Sequence, residues 1–366
     1  MGNTSVLYIG AKTTIPEALA KRSDFKVYAM LPGVAPGRVM SADSPPASIE
    51  YLPYDSGSRV SLKAMRQVRQ AIKAIQPSVI HAFYPRALAH TVTAVATLRK
   101  RPPIVAYRGI TRVPKLRDPV EYFSHRSPLV KAHACESEAV RQALIAGGAS
   151  PEQCIVTYNC LTRNDCPAND CPTENRQSIL ASLGIPPDAV VIGTVANMRR
   201  VKGIDLLLKA AIECNDLTNT YWLLIGTVLD QEIHQLAKHP SLQDRVRVLG
   251  FRSDAQELIR AADLFVLPSR REALAVALLE AMSAGLCPLV SDAGGMKEAV
   301  RHQQDGLVVP RENVAAIAGG IRQLVENPKQ RCQYAESAKQ RFADNFTSER
   351  IAKRFTELYH RVLQAA

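Results

Sequence analysis

Short apolar runs rich in β-branched residues alternate with amphipathic stretches along almost the whole chain. In the first half the pattern predicts strands at Val6–Ile9, Phe25–Met30, Val79–His81, Ile104–Tyr107, Ala132–Cys135 and Cys154–Tyr158, and helices at Ser61–Gln76 and Ser137–Ala146. In the second half it predicts strands at Val190–Val195, Trp222–Gly226, Val246–Leu249, Leu264–Leu267, Leu289–Ser291 and Leu307–Val309, and helices at Ile204–Cys214, Ala255–Ala261, Leu274–Ser283, Val314–Glu326 and Ser348–Leu363. Apolar strands separated by helices are typical of parallel sheets covered on both faces. The sequence therefore predicts an α/β fold with doubly wound sheets.

This pattern runs twice, with a break between Asn159 and Asp188 that is rich in Pro, Asn and Asp. We predict a first Rossmann-like domain over residues 1–170, a second over residues 171–345, and a C-terminal helix within residues 346–366. Two such domains place a cleft at the carboxyl ends of their strands, where ligands bind in folds of this class.

Composition places the chain among ordinary globular proteins. It has 366 residues, of which 46% are hydrophobic and 22% charged, and this excludes a disordered chain, a collagen-like repeat and a coiled-coil rod. No apolar run approaches the length of a membrane-spanning helix. Residues 1–10 lack the basic start and long apolar segment of a signal peptide, so we expect a cytoplasmic protein with mostly reduced cysteines.

The formal net charge of +12 is distributed unevenly. Residues 1–170 contain 22 Lys and Arg against 12 Asp and Glu, so most of the excess lies in the first half. Such an asymmetry indicates an anionic partner such as a membrane surface, a phosphorylated lipid or a nucleic acid, although it also serves solubility alone. The basic face of helix Ser61–Gln76 fits either an ordinary solvated surface or contact with anionic lipid.

The stretch with the most chemical information runs from Leu264 to Val300. Glu272 and Glu280 have seven residues between them and follow a buried strand that ends at Pro268 and Ser269. On one continuous helix the two carboxylates would share a face, and from a loop Glu272 could still reach the same region. Such carboxylates accept hydrogen bonds from sugar hydroxyls. Farther along, Gly294 and Gly295 separate a strand from a helix, which lets backbone N–H groups approach a phosphate.

A second informative stretch is Gly193–Lys209, where a strand is followed by a basic loop. Arg199 and Arg200 lie in that loop, and Lys202 and Gly203 open the next helix. A lysine at a helix start is placed to neutralise a diphosphate, and the alternative is an ordinary solvated loop.

Together these two stretches resemble the retaining nucleotide-sugar glycosyltransferases of family 4, which have the GT-B fold. The likeness rests on the E-x7-E element, on the following Glu-Ala-Met-Ser-Ala-Gly and Ser-Asp-Ala-Gly-Gly-x-x-Glu, and on the later Asp-Gly-Leu-Val-Val-Pro. It implies that Lys202 contacts the donor diphosphate, that Glu272 holds the donor sugar and that Glu280 holds the ribose. Gly294 and Gly295 would belong to the donor loop.

The chain departs from this family pattern at two places. Asn197 stands where relatives often have arginine, so either Arg199 or Arg200 compensates or diphosphate binding is weaker. The second departure is Glu272-Ala273-Leu274-Ala275, where relatives often have Glu-Gly-Phe-Gly. The added methyl groups affect where the backbone approaches the sugar, so they bear on donor identity rather than on the class of reaction.

The resemblance also extends to the first half, more loosely. It implies that His81, at a strand end, touches the reaction centre, with a satisfied core histidine as the alternative. Arg108, after the next strand, would stabilise charge on a phosphate or carboxylate of the donor or acceptor. Ser137 is expected to cap a helix. The C-terminal helix of relatives crosses back to the first domain, and we expect the same here.

Neither a metal nor another cofactor is expected. Cys154, Cys160, Cys166 and Cys171 lack the spacing of a structural zinc site. The sequence contains no Asp-x-Asp pair to hold Mg²⁺ on a diphosphate, which fits a metal-independent transferase. There is no stacking motif for bases, so we expect no nucleic-acid partner.

The sequence therefore predicts a retaining glycosyltransferase of the hexosyltransferase type. Its donor would be a nucleotide-sugar and its acceptor a glycan or glycolipid of lipopolysaccharide or another surface polysaccharide. Peripheral contact with the anionic inner face of the plasma membrane is expected. The alternatives are a nucleotide-sugar epimerase, a glycoside phosphorylase, and a basic non-catalytic binding protein.

Overall fold

The computed structural model describes residues 4–10, 14–33, 39–41, 48–58, 60–113, 117–159, 173–242 and 244–365. The chain divides into two compact units. Unit 1 comprises Met1–Thr162 and Ser348–Ala366, and unit 2 comprises Arg163–Thr347.

The core of unit 1 is an eight-stranded sheet. Its strands are β1 (Thr4–Ile9), β2 (Phe25–Met30), β3 (Val39–Ser41), β4 (Ser48–Leu52), β5 (Val79–Ala82), β6 (Ile104–Arg108), β7 (Val130–Cys135) and β8 (Cys154–Val156). They lie in the order β3-β4-β2-β1-β5-β6-β7-β8, and every pair is parallel except β3 with β4. The chain changes direction across the sheet between β1 and β5, which makes that point the topological switch.

Helices connect the strands of unit 1: α1 (Thr14–Ala20), α2 (Leu62–Ile75), α3 (Tyr84–Ala96), α4 (Pro119–His125) and α5 (Glu138–Ala146). Side-chain caps set several of their starts. The Ser61 hydroxyl accepts a hydrogen bond from the Ala64 amide, and Ser137 accepts one from Val140, so the predicted cap at Ser137 is confirmed.

Unit 2 contains a six-stranded sheet in which all paired strands are parallel. Its strands are β9 (Val190–Val195), β10 (Thr220–Ile225), β11 (Val246–Val248), β12 (Leu264–Leu267), β13 (Cys287–Ser291) and β14 (Leu307–Val309). The order β11-β10-β9-β12-β13-β14 is the Rossmann order, with the switch point between β9 and β12.

The helices of unit 2 are α6 (Thr173–Ser182), α7 (Ile204–Glu213), α8 (Gln231–Ala237), α9 (Ala255–Ile259), α10 (Val276–Ser283), α11 (Met296–Ala299), α12 (Val314–Glu326) and α13 (Pro328–Asn345). Most of them cover the two faces of the sheet with apolar side chains. In α7, for example, Ile204, Leu207 and Leu208 are fully buried.

The last helix, α14 (Ser348–Gln364), returns to unit 1. It packs against α1, and its side chains Ile351, Phe355, Tyr359 and Val362 join the same buried cluster as Val6 and Tyr8 of β1. The predicted fold class, two doubly wound sheets with the final helix returning to the first, is confirmed.

Some elements differ from the sequence prediction. The strand expected at Cys154–Tyr158 ends at Val156, because Tyr158 has a φ of 60° in the left-handed region. Strands β3 and β4 and helices α1, α3, α4, α8 and α13 were not among the predicted elements. Cys160, Cys166 and Cys171 lie outside the described residues. Among the helices of the described ranges, none combines the length and the apolarity that crossing a membrane requires.

Candidate active site

The two loops that carry the predicted donor-binding residues meet at the switch point of unit 2. One loop follows β9 and forms a short 3-10 turn at Arg200–Lys202, and the other follows β12. Gly203 has a φ of 69°, and a Cβ added there would lie 2.0 Å from the carbonyl oxygen of Pro268. Only glycine permits both that backbone conformation and that approach, so the sequence Lys202-Gly203 fixes the contact between the loops.

Arg270 braces the same two loops. Its guanidinium donates to both carboxylate oxygens of Asp205 at 2.7 Å and to the carbonyl oxygen of Arg200 at 2.6 Å. Its backbone N–H donates to the Val201 carbonyl at 2.9 Å. Burial raises the pKa of the Asp205 carboxyl, but the Arg270 guanidinium outweighs this and holds that pKa below its usual range. The loops are therefore held by a charged pair that is itself not available to a ligand.

This arrangement brings Lys202 and Glu272 together. The Lys202 ammonium lies 2.5 Å from a Glu272 carboxylate oxygen. The two side chains are 27% and 14% exposed, so both remain reachable from solvent. A cation and an acceptor of hydrogen bonds thus stand side by side at the edge where α/β sheets bind ligands.

Glu280 lies on α10, whereas Glu272 lies in the preceding loop, so the two glutamates do not share one helix. The reason is Ala275, whose extended backbone, with a ψ of 121°, places the helix start at Val276. The Glu280 carboxylate accepts a hydrogen bond of 2.8 Å from the side-chain amide of Gln256 on α9. No local sequence pattern indicated Gln256, because the contact joins residues 24 positions apart on different helices.

The predicted donor loop is tied to the segment after Glu272. The Gly295 amide donates to the Ala273 carbonyl oxygen at 2.7 Å. In this arrangement that amide is bonded inside unit 2, and the place of Gly294 and Gly295 in a donor loop stays a prediction. Gly294 has a φ of 52°, as a tight turn requires. Ala273, Leu274 and Ala275 are 7%, 3% and 4% exposed and pack as part of the unit 2 core.

The remaining donor-side candidates lie at the surface. Asn197, Arg199 and Arg200 are exposed on the loop after β9. The loop is shaped by backbone bonds, among them one from the Arg199 amide to the Asn197 carbonyl at 2.8 Å. These side chains are therefore at the rim of the site.

Arg108 in unit 1 is placed differently from the sequence expectation. Its guanidinium is 2% exposed and forms an ion pair with the carboxylate of Glu121. It also contacts His125 Nε2 at 3.1 Å and donates to the Arg112 carbonyl at 2.6 Å. Burial lowers the pKa of Arg108, and Glu121 acts in the opposite direction. The Glu121 carboxylate is shared by Arg108 and Arg112. Arg108 is thus ion-paired inside unit 1, where it holds α4, and its expected role at a phosphate or carboxylate of the donor or acceptor stays a prediction.

His81 is likewise part of a core. It is fully buried within β5, and its Nδ1 lies 2.6 Å from the Tyr359 hydroxyl. That hydroxyl lies 2.9 Å from the hydroxyl of Tyr8. Burial lowers the pKa of His81 to about 3, so the imidazole is neutral at physiological pH. The chain of three side chains joins β1 and β5 to α14. This placement favours the alternative of a core histidine, although Nε2 has no hydrogen-bond partner among the described residues, and contact with the reaction centre stays a prediction.

The described residues contain no group of three or more His, Cys, Asp or Glu that could hold a metal ion. Cys154, the one described member of the predicted cysteine group, is a buried free thiol.

Comparison with known proteins relates the second half of the chain to one family. Residues 175–341 match the family model of the glycosyl transferases group 1. The lipopolysaccharide core biosynthesis glycosyltransferase LpsD of Rhizobium meliloti is 29% identical over 182 residues, which are 50% of this chain and 52% of that protein. A Campylobacter jejuni N,N'-diacetylbacillosaminyl-diphospho-undecaprenol alpha-1,3-N-acetylgalactosaminyltransferase is 39% identical over 192 residues, which are 52% of this chain and 50% of that protein. The chain spans about half the length of the curated relatives that it matches.

Solved structures share the fold over the full length. A glycosyltransferase from Rickettsia africae superimposes with a TM-score of 0.84 at 16% identity and covers 100% of both chains. Anabaena HepE, solved with UDP and glucose, gives a TM-score of 0.77 at 20% identity over 98% of this chain and 100% of that one. Residues 175–341 are therefore similar to the glycosyl transferases group 1, within a chain that has the GT-B fold.

Proposed function

We propose that the protein is a retaining glycosyltransferase that binds a nucleotide-sugar donor in unit 2. The observation that carries the proposal is the Lys202–Glu272 pair at the switch point, inside the region that matches the family model. A diphosphate arriving there would replace Glu272 as the partner of Lys202. The released carboxylate is then available to hydroxyls of the donor sugar.

The proposed chemistry relies on charge stabilisation. As the bond between the anomeric carbon and the diphosphate oxygen breaks, negative charge grows on the leaving diphosphate, so its attraction to Lys202 strengthens toward the transition state. An acceptor hydroxyl bonds to the anomeric carbon on the same face, and its proton passes to an oxygen of the leaving diphosphate. The lysine supplies the positive charge, so the proposal includes no metal.

Glu280 is proposed to hold the ribose, with Gln256 keeping its carboxylate in place. The ion-paired Glu272 and the amide-bonded Glu280 thus have different tasks. Glu272 must exchange its partner on donor binding, whereas the contact between Glu280 and Gln256 at 2.8 Å can persist.

For the acceptor we propose a glycan or glycolipid of lipopolysaccharide or another cell-surface polysaccharide. Support comes from relatives named for lipopolysaccharide core biosynthesis and for an undecaprenol diphosphate substrate. Unit 1 would meet such an acceptor at the inner face of the membrane. There Arg66 and Arg69 on α2 are exposed beside Leu62, whose side chain is 68% exposed. Cations and apolar groups on one helix suit an anionic lipid surface.

A turnover assay tests the proposed reaction. The protein is incubated with UDP-, GDP- and ADP-sugars and a lipid-linked glycan acceptor in the presence of EDTA, and the product anomer is assigned by NMR. The proposal expects transfer with one nucleotide series, retention of the anomeric configuration, and no loss on chelation.

Three other outcomes contradict it. Turnover of the donor without an acceptor would indicate an epimerase, and phosphate-dependent release of sugar 1-phosphate would indicate a phosphorylase. Inversion of configuration would remove the retaining mechanism.

Vesicle flotation tests the membrane contact separately. Arg66→Gln combined with Arg69→Gln should weaken flotation with anionic vesicles, whereas the matched unit 2 pair Lys238→Gln with Lys329→Gln should not. Equal flotation with neutral and anionic vesicles would remove the contact from the proposal.

A further inference from the structure

Unit 1 contains a concave pocket of about 480 Å³ that none of the arguments above uses. It lies between the end of α2, the turn into β5, and the segment that joins α3 to β6. Four cationic side chains line it: Lys73, Arg99, Lys100 and Arg101. The other lining residues are uncharged, and several are apolar or proline, so the pocket has cations and a low-dielectric wall.

The surrounding sequence is strongly one-sided in charge. Residues 56–117 contain thirteen Lys and Arg and no Asp or Glu. The cations of the pocket therefore have no acidic neighbour in their own segment to neutralise them. A concave surface lined by one sign of charge concentrates its field and attracts ions of the opposite sign.

Two of the four cations of the pocket have a structural role at the end of a helix. Arg101 donates to the carbonyl oxygens of Leu98 and Ala96 at 3.2 Å, which satisfies the end of α3. Lys73 lies in the last turn of α2, where the helix dipole favours a positive charge. The same reasoning does not account for Arg99 and Lys100.

Arg99 and Lys100 are exposed, and in the part of the chain that the structure describes neither is paired with a carboxylate. Bringing them next to Lys73 and Arg101 costs repulsion that an anion in the pocket would remove. An anion with several negative oxygens could contact more than one of these side chains at once.

The pocket also lies away from the switch point of unit 1, at the opposite edge of that sheet, and it is not part of the donor site proposed in unit 2. Ser78 and Pro103, which line it, immediately precede β5 and β6. It therefore lies at the amino ends of these parallel strands, opposite the edge at which α/β sheets bind their substrates. A ligand there would be a second ligand, independent of the proposed reaction.

We propose that this pocket binds a phosphate-bearing ligand, either a free oligophosphate or the phosphorylated headgroup of a lipid. The cations contact the phosphate oxygens, and the wall formed by residues such as Ile72 and Leu98 contacts the ligand's less polar part. The site shares Lys73 with the basic face of α2 but does not include Arg66 and Arg69 of that face.

The test measures binding of inorganic tripolyphosphate by calorimetry, and of vesicles made from equal parts of phosphatidylcholine and phosphatidic acid by flotation. The whole chain is used with Lys202→Met, so that the proposed diphosphate contact in unit 2 does not contribute. The pocket variant combines Lys73→Gln, Arg99→Gln and Lys100→Gln. Its matched control removes three other exposed lysines of unit 1 by Lys21→Gln, Lys26→Gln and Lys353→Gln.

We expect saturable binding that is about a hundredfold weaker in the pocket variant and unchanged in the control, since each cation near a phosphate contributes a factor of about five. If the pocket variant loses binding of tripolyphosphate alone, the ligand is a free phosphate. If it loses binding of vesicles, with or without that of tripolyphosphate, the ligand is a lipid headgroup. Equal losses in the pocket variant and the control would show diffuse charge and overturn the proposal. Absence of saturable binding in both arms would overturn it as well. Neither result depends on whether the protein transfers a sugar.

Discussion

Both units are doubly wound sheets with charged or polar side chains near the carboxyl ends of their strands, yet they use those side chains in opposite ways. In unit 1, His81 and Arg108 are fully buried or nearly so, and their hydrogen bonds go to other residues of unit 1. In unit 2, Lys202 and Glu272 are paired with each other and remain partly exposed. Both units thus place such side chains near strand ends, but only those of unit 2 are available to a ligand.

The partner of a strand-end charge thus decides its role. Arg108 is held by a buried carboxylate from α4, and breaking that pair would leave a charge in the core. Arg270 has the equivalent structural role in unit 2. It pairs with Asp205 and leaves Lys202 and Glu272 available to a ligand. A site therefore needs both charges that are committed to the fold and charges that can change partner.

The largest expected effect is on catalysis at the exchangeable pair. Lys202→Met should lower kcat/KM by about a hundredfold to a thousandfold, because it removes a charge that stabilises the leaving group. The matched variant Lys329→Met, which removes an exposed lysine elsewhere in unit 2, should keep full activity. Steady-state kinetics measures kcat/KM of both variants. Comparable losses in the two would contradict a special role for Lys202.

The contact between the two loops of unit 2 predicts a loss of stability. Gly203→Ala should lower the free energy of unfolding by about 3 kcal/mol, because its Cβ would overlap the Pro268 carbonyl and its φ is positive. Gly285 has a φ of 75°, and a Cβ added there would meet only the Lys339 side chain at an ordinary contact distance of 3.7 Å, so Gly285→Ala reports mainly the cost of backbone conformation, about 1 kcal/mol. Urea unfolding of both variants separates overlap from backbone strain. Equal costs would mean that the loops do not depend on this contact.

In unit 1 the buried histidine should matter for stability and not for turnover. Tyr359→Phe removes the hydroxyl that contacts both His81 and Tyr8, and should cost about 2 kcal/mol. Tyr221→Phe, at a half-buried tyrosine of unit 2, serves as the control and should cost little. Chemical unfolding and kcat are measured together. A normal stability with a large fall in kcat would restore His81 to the reaction centre.

The same histidine predicts a pH dependence. Its folded pKa of about 3 lies below the unfolded value near 6.5, so between these values only the unfolded state takes up the proton. Stability should therefore fall as pH decreases through that window, with His81 contributing about 1.4 kcal/mol per pH unit. In His81→Gln the slope should be smaller by that amount. An unchanged slope would mean that His81 is not buried as a neutral group.

The smallest expected effect concerns Gln256. Gln256→Ala removes the hydrogen bond to Glu280 and should raise the KM for the donor about fivefold, corresponding to about 1 kcal/mol, with kcat nearly unchanged. Gln235→Ala, at an exposed position on α8, should leave both constants unchanged. A fall in kcat without a change in KM would contradict a role in donor binding.

The sequence predicted unit 2 better than unit 1, and local patterns explain why. Strands such as Val190–Val195 and Leu264–Leu267 were located correctly because they are continuous apolar runs. The meeting of Lys202 and Glu272 was foreseeable, since both residues follow strands at one switch point. Helix α13 was missed because only Tyr334, Ala338 and Phe342 are buried along its eighteen residues, which leaves a weak amphipathic pattern.

Local sequence patterns could not predict that Arg108 and His81 are buried against partners inside unit 1. The partner of Arg108 lies thirteen residues away on α4, and the partner of His81 lies 278 residues away on α14. No spacing rule links such positions, so only the packed structure shows that His81 Nδ1 and the terminal nitrogens of Arg108 have partners inside unit 1. The contact between Gln256 and Glu280 was missed for the same reason.

Hydrogen–deuterium exchange with and without nucleotide ligands shows whether unit 2 binds the donor, because it locates binding on the chain. UDP, GDP and ADP and their sugars are compared on the wild type and on Lys202→Met. The account predicts that one series protects the amides of residues 197–203 and 270–275, leaves residues 79–83 and 104–108 unchanged, and loses its effect in the variant. Protection centred on His81 and Arg108, with the loops of unit 2 unaffected, would contradict it.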